Sequence, residues 1–156
     1  MDRDETIERL KSCMVMESVC SSVYHLLSLN FPEEKELWNK LARDEENHAE
    51  MIASVTAFKD TDDITDYPIP ENLGFVRKTI EFADEMRTLL MNDKLSFKDA
   101  LERLRSIHEF KNESYRHDLL EKENDERIKK VYARLFEIDK SNMEMMQSFM
   151  NKSKVL

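Results

Sequence analysis

Apolar residues along this chain recur in alternating steps of three and four, which is the spacing of one face of an α-helix. The pattern predicts four long amphipathic helices, called A to D here, and a shorter one between B and C. The predicted ranges are about Asp4–Leu29, Pro32–Lys59 and Phe75–Met91, then from Ser96 to about Lys122, and from Asn124 or Asp125 to about Lys152.

Residues that favour helix ends lie at these boundaries. Pro32 suits the first turn of helix B because its fixed φ is already helical. Ser96 has the side chain of an N-cap, and Asp99 follows three residues later as in a capping box. Residues 60–74 contain two prolines and the only glycine of the chain, which predicts a loop.

The lengths of the connections indicate how the helices are arranged. Helices A and B are joined by a short turn, and so are C and D, so each pair should form an antiparallel hairpin. Residues 60–95 are long enough to cross the bundle and contain the short extra helix. Two hairpins joined by one long crossover form the ferritin-like four-helix bundle. We therefore predict a single all-α domain over residues 1–156. The alternative is an up-down bundle of five helices.

Polar residues interrupt each apolar stripe near the middle of its helix. They are Glu17 on helix A, Glu45 and His48 on B, His108 on C, and Asp139 and Asn142 on D. A buried polar group without a partner costs about 2–7 kcal/mol, so such residues must contact one another, a metal ion or water. Glu45 and His48 are spaced i, i+3, so they lie on the same face of the helix and can bind one ion together.

A rotation of the stripes by one residue offers a different interpretation. It would place Glu46, Glu109 or Glu113 on the inner face instead. The polar residues named above would then belong to solvated faces, and no buried site would exist.

The segment LARDEENHAEMI, which contains Glu45 and His48, resembles the rubrerythrin branch of the ferritin-like superfamily. Glu17 stands seven residues before Tyr24, as a glutamate does in that family. The second half follows the pattern less closely: His108 stands seven residues before Tyr115 where the family has Glu. Asp139 and Asn142 align with Glu45 and His48. The rubredoxin-like tail is absent.

The resemblance implies a metal site formed by carboxylates and histidines, and oxidation chemistry with peroxide or dioxygen. The aligned ligands are Glu17, Glu45, His48, His108 and Asp139. Their three carboxylates sum to −3, which one divalent ion reduces to −1. Two ions would leave +1 and fewer ligands for each. We therefore expect one ion, with iron favoured and zinc or manganese as alternatives.

Three residues of this site have two interpretations each, and a fourth could contribute one further ligand atom. His108 is either a ligand or a hydrogen-bond donor to a carboxylate. Tyr24 and Tyr115 either orient ligand carboxylates through hydrogen bonds, as the resemblance implies, or are core aromatics. Asn142 could add a carbonyl oxygen.

Composition limits which partners and which cellular environment we expect for the protein. The formal charge of −9 disfavours nucleic acid as a partner. Cys13 and Cys20, if both lie on one helix, are separated by roughly 10.5 Å of rise and should not bond to each other. A reduced, cytoplasmic setting follows. The absence of long apolar runs argues against a membrane span.

Two functions are compatible with these observations. The first is a ferritin-like metal-binding protein, in its sharper form a non-haem iron oxidoreductase with an unknown electron donor. The second is a degenerate, non-catalytic bundle that serves as a structural or interaction module. Phe31, Trp38 and the Met-rich helix D could supply apolar surface for a homodimer.

Overall fold

The computed structural model describes residues 3–58, 73–114 and 126–155, and over these ranges the chain is helical without any strand. The helices are α1 (Arg3–Asn30), α2 (Lys35–Phe58), α3 (Gly74–Met91), α4 (Phe97–Ser114) and α5 (Glu126–Val155). A 3-10 turn, Pro32–Glu34, joins α1 to α2. The prediction of an all-helical chain is confirmed.

The helix ends follow the local signals in the sequence. Pro32 starts the 3-10 turn that leads into α2. The backbone N–H of Asp99 donates to Ser96 Oγ at 3.1 Å, so Ser96 caps α4 as predicted. Most of the predicted loop 60–74, the predicted end of helix C at Lys122, and the proposed caps Asn124 and Asp125 lie outside the described residues.

Helix α2 packs against neighbours that run in the opposite direction. Helix α1 packs on α2 and α5 packs on α2. The Trp38 ring, near the start of α2, lies 6.5 Å from Tyr24 and 6.2 Å from Phe149, both in the second half of their helices. Further along α2, His48 lies near Glu17. Helices α1 and α5 are therefore antiparallel to α2.

The pairs α4–α5 and α3–α4 are also antiparallel. Phe97, at the start of α4, lies 5.8 Å from Phe149, near the end of α5. Helices α3 and α4 pack together and are joined by the short connection 92–96, and Phe82 of α3 lies 5.5 Å from Phe110 of α4. The directions of α1, α3 and α5 therefore agree, and α2 and α4 run the other way.

Aromatic rings fill one end of the bundle. Phe31, Trp38, Phe97 and Phe149 contact one another with ring centroids 5.3–6.4 Å apart. Trp38 is fully buried, and Phe31 packs against the core. Trp38 therefore cannot supply the surface of a homodimer as the sequence suggested, because its ring is needed to fill the interior.

Helix α3 belongs to the core and is not merely a connector. Ala83, Met86 and Leu90 are buried against the same apolar cluster as residues of α1 and α4. Within the described ranges, no helix combines the length and apolar content that a membrane span requires.

Candidate functional site

A layer of buried polar side chains lies across the middle of the bundle. Glu17 of α1, Glu45 and His48 of α2, Lys111 of α4 and Asp139 of α5 each retain 0–2% of their exposure. Each lies on the apolar stripe of its helix, so the packing that buries the stripe also buries the polar residue. The sequence prediction that four helices contribute polar groups to one interior layer agrees with these positions.

The alternative that the stripes were rotated by one residue is wrong. Glu46, Glu109 and Glu113, which the rotation would bury, are all exposed. His25 is exposed as well, and its Nε2 lies 2.9 Å from Glu46 Oε1 on the surface.

The ammonium group of Lys111 lies at the centre of the layer. Its Nζ is 2.7 Å from Glu17 Oε2 and 3.1 Å from Asp139 Oδ1. It also donates to Glu45 Oε2 and lies 3.3 Å from His48 Nδ1. The carboxylates predicted as metal ligands therefore converge on a cation that belongs to the chain itself.

His48 lies among the same carboxylates. Its Nδ1 is 3.3 Å from both Glu17 Oε2 and Glu45 Oε2, and 3.7 Å from Asp139 Oδ1. Burial and the Lys111 charge lower the pKa of His48, but hydrogen bonds to Glu17 and Glu45 outweigh them and raise it to about 9. A protonated His48 adds a second positive charge to the layer at neutral pH.

The charged side chains in the layer shift one another's pKa values strongly. Burial alone would raise the pKa of Glu17, but the Lys111 ammonium and a hydrogen bond from His48 lower it to about 2. Burial would lower the pKa of Lys111, yet the Asp139, Glu17 and Glu45 carboxylates hold it well above its usual value. Burial raises the pKa of Asp139 despite the nearby ammonium. Lys111 therefore remains a cation.

Part of the buried donor set suits the metal that the resemblance implies. Glu17, Glu45 and His48 offer ligand atoms that all lie within 4.8 Å of one another, and such a group could hold a metal ion. Glu17 Oε1, Glu45 Oε1 and His48 Nε2 are buried with no hydrogen-bond partner among the described residues. The types of donor atom and these unpaired atoms suit a metal.

The position of Lys111 does not suit a metal ion. Metal–ligand bonds of about 2.0–2.2 Å to nitrogen and oxygen would place an ion within the space that Nζ takes. Lys111 keeps 1% of its exposure, so its side chain has no solvated position close by. The residues as arranged therefore do not fit a two-metal centre, and they fit a single ion only if the ammonium is removed.

The layer is closed to solvent beside Lys111. A small cavity lies there, and it is too small to hold a water molecule; its lining includes Cys20, Tyr24, Glu45, His108 and Lys111. Cys13 and Cys20 are both buried, and they are not bonded to each other, as predicted. Burial raises the pKa of the Cys20 thiol, which keeps it protonated.

His108 and Tyr24 form a separate buried pair next to the layer. A hydrogen bond joins the Tyr24 hydroxyl to His108 Nε2. Burial lowers the pKa of His108 to about 4, so its imidazole is neutral at neutral pH. Burial also raises the pKa of the Tyr24 phenol. The described contact of His108 is thus with Tyr24, whereas the sequence suggested a metal or a carboxylate.

We expect Tyr24→Phe to lower the free energy of unfolding by about 1–3 kcal/mol, because the variant leaves a buried imidazole nitrogen without its partner. The ring and its packing against Trp38 are kept, so only the hydroxyl is tested. Urea denaturation of both proteins at neutral pH measures the difference. A change within the experimental error would show that the hydrogen bond contributes nothing net.

The other predicted residues are placed as follows. Asn142, one turn after Asp139, is fully buried, and its side-chain nitrogen and oxygen have no partner among the described residues. Tyr115 lies outside the described residues.

Lys111 is the residue of this site that the sequence analysis missed. It lies on the apolar stripe of helix C, three residues after His108, so its position on the inner face was visible in the sequence. The site residues predicted from the sequence are carboxylates, histidines, tyrosines and Asn142, because the positive charge was assigned to a metal. A lysine in an otherwise apolar stripe, facing several carboxylates, was the available signal.

Comparison of the chain with protein-family models, curated proteins and solved structures gave no match. The resemblance to rubrerythrins therefore depends on the motifs of the sequence alone.

Proposed function

We propose that this chain is a metal-independent bundle of the ferritin-like kind, which serves as a structural or interaction module and not as an oxidoreductase. The observation that carries the proposal is the Lys111 ammonium, which is in ion-pair contact with Glu17, Glu45 and Asp139 in the interior. Lys111 thus gives these carboxylates the positive charge that a metal ion would otherwise supply.

The helix directions support the ferritin-like part of the proposal. Helices α1, α2, α4 and α5 run up, down, down and up, and this order requires one long crossover between α2 and α4. Helix α3 runs antiparallel to both, so it can carry the chain back along the bundle. The same five helices also alternate in direction, so the five-helix description of the sequence analysis is compatible with this topology.

The closed centre argues against catalysis at this layer. A catalytic metal needs an open coordination position for its substrate. Here the layer is 0–2% exposed and the adjoining cavity admits no water molecule. Peroxide or dioxygen would need an opening of the bundle to reach these groups, so the surface of the protein is where its function would be exercised.

A second candidate, a protein that binds one metal ion, has a specific observation in its favour. The donor atoms of Glu17, Glu45 and His48 lie within 4.8 Å of one another, and three buried polar atoms of these residues lack partners. In this case Asp139 would be a fourth ligand and the ion would be iron, zinc or manganese. Such an ion would supply Lewis-acid or, as iron, redox chemistry.

Metal content distinguishes the two candidates. We expect untagged protein, purified and then loaded anaerobically with Fe²⁺, to retain well below one equivalent of metal by mass spectrometry and to consume no peroxide. Glu45→Ala/His48→Ala removes two of the buried donors, and His25→Ala/Glu46→Ala removes an exposed pair on α1 and α2. One equivalent retained by the parent protein and by the surface variant, but lost in the buried variant, would overturn the proposal.

A further inference from the structure

We infer that Lys111 excludes metal from the centre, and that neutralising this one side chain turns its carboxylate and histidine partners into a site for a single divalent cation. The inference rests on the proposed metal independence of the native chain. It adds the residue responsible and the chemical class of ligand that the altered site would bind.

The first step is the convergence of donors on one point. Nζ of Lys111 lies 2.7 Å from an oxygen of Glu17, 3.1 Å from one of Asp139 and 3.3 Å from Nδ1 of His48, and it donates to Glu45. Three carboxylates and one imidazole around a single cation form a mixed oxygen and nitrogen set that suits Zn²⁺, Fe²⁺, Co²⁺ or Mn²⁺.

The second step is electrostatic. With Lys111 charged and His48 neutral, the set sums to −2, and protonation of His48 leaves −1. A neutral residue at position 111, with His48 neutral, restores −3 and removes the repulsion between the ammonium and an entering cation. Like charges a few ångströms apart in a buried site repel strongly.

The third step is that the ammonium has no alternative position. Lys111 is 1% exposed, and the side chains that line the space beside it include Val23, Leu104 and Ile107. A charged group moved among these apolar side chains would lose its partners. A metal ion and the Lys111 ammonium therefore compete for the same position. The ammonium is always present there because it is part of the chain.

The fourth step limits the altered site to one ion. Among the described residues of the layer, unpaired carboxylate or imidazole atoms belong to Glu17, Glu45 and His48, and the ligand atoms of these residues lie within 4.8 Å of one another. Asn142 also has unpaired side-chain atoms, but it offers only a neutral amide. His108 is already hydrogen-bonded to Tyr24.

The test compares Lys111→Met with Lys98→Met by equilibrium dialysis against Zn²⁺. Met keeps much of the length of lysine and removes its charge, and Lys98 is an exposed lysine on the same helix. We expect Lys111→Met to bind one equivalent of Zn²⁺ with a Kd on the order of 100-fold or more below that of the native protein, because the buried repulsion is gone. Lys98→Met should behave like the native protein. Co²⁺ should give the visible absorption of a low-coordinate site in Lys111→Met alone.

The outcomes separate this inference from the proposed function. One equivalent of Zn²⁺ bound by the native protein through Glu45 and His48 would overturn both. A native protein without metal and a folded Lys111→Met that also binds none would overturn only the inference. Retention of Zn²⁺ by Lys111→Met after the further change His48→Ala would show that the ion lies elsewhere, and would overturn it too.

Two further measurements apply if Lys111→Met does not fold without metal. Zn²⁺ added during refolding should then restore the helical circular dichroism of this variant and of Lys111→Gln, and failure to restore either would contradict the inference. In the native protein, ¹⁵N-labelled lysine should give one slowly exchanging ammonium signal, absent in Lys111→Gln, that Zn²⁺ does not shift. A Zn²⁺-dependent shift of that signal would contradict the exclusion of metal.

Discussion

Lys111→Met is expected to lower the free energy of unfolding by about 3–5 kcal/mol when metal is removed by a chelator, which is the usual cost of removing one partner from a buried ion pair. The cost arises because three carboxylates remain in the interior with only His48 to balance them. The same substitution removes several hydrogen-bond donors from buried oxygens. The chelator keeps this stability measurement independent of any metal that the variant binds.

Urea denaturation followed by circular dichroism measures this difference. Lys98→Met is the matched control, and as an exposed substitution it should stay within about 0.5 kcal/mol of the native protein. Adding Glu17→Gln to Lys111→Met should recover part of the loss, because it removes one of the carboxylates left without a cation. Equal stability of Lys111→Met and Lys98→Met would show that the ammonium does not hold the centre together.

Acidification from pH 7 to pH 4 is expected to lower the stability of the native protein, and His108 should contribute roughly 3 kcal/mol of this loss. Its pKa in the folded protein is about 4 against an ordinary value of 6.5. Between these values the unfolded chain binds a proton at His108 that the folded chain does not, so stability falls as the pH falls. The difference of roughly 2.5 units, at 1.36 kcal/mol per unit, gives this magnitude.

His108→Gln isolates this contribution. The amide oxygen of Gln can still accept from the Tyr24 hydroxyl, but the side chain does not titrate. The charged groups that act on His108, namely Glu45, Lys111 and His48, remain in both proteins. Urea midpoints at pH 7, 6, 5 and 4 should therefore fall less steeply in the variant. Parallel curves for the two proteins would mean that His108 does not resist protonation in the fold.

Much of the fold was predictable because it follows from local patterns. The predicted ends of helix A, Asp4 and Leu29, lie within one residue of those of α1. The N-cap at Ser96 was predicted from a side chain and a spacing, and the bond from Asp99 confirms it. The packing of α3 into the core was not predicted, because the sequence shows that a helix is amphipathic but not which neighbour covers it.

The candidate site was predictable in position but not in chemistry. The stripes placed Glu17, Glu45, His48 and Asp139 at one height, since helical periodicity fixes which face a residue occupies. The partner of these carboxylates depends on how α4 is rotated and translated against α1, α2 and α5. That relation comes from tertiary packing, so the sequence could suggest a cation at the centre without showing that Lys111 provides it.

The ionic layer has a consequence for how the protein opens. It takes a side chain from α1, α2, α4 and α5, so a helix that detaches alone removes its charge and leaves the rest of the layer unbalanced in a dry interior. These four helices should therefore open together as one cooperative unit, with their central amides showing similar protection in native-state hydrogen exchange. Helix α3 contributes no charge to the layer. Of the five described helices, it is the one that can separate from the bundle without breaking the layer.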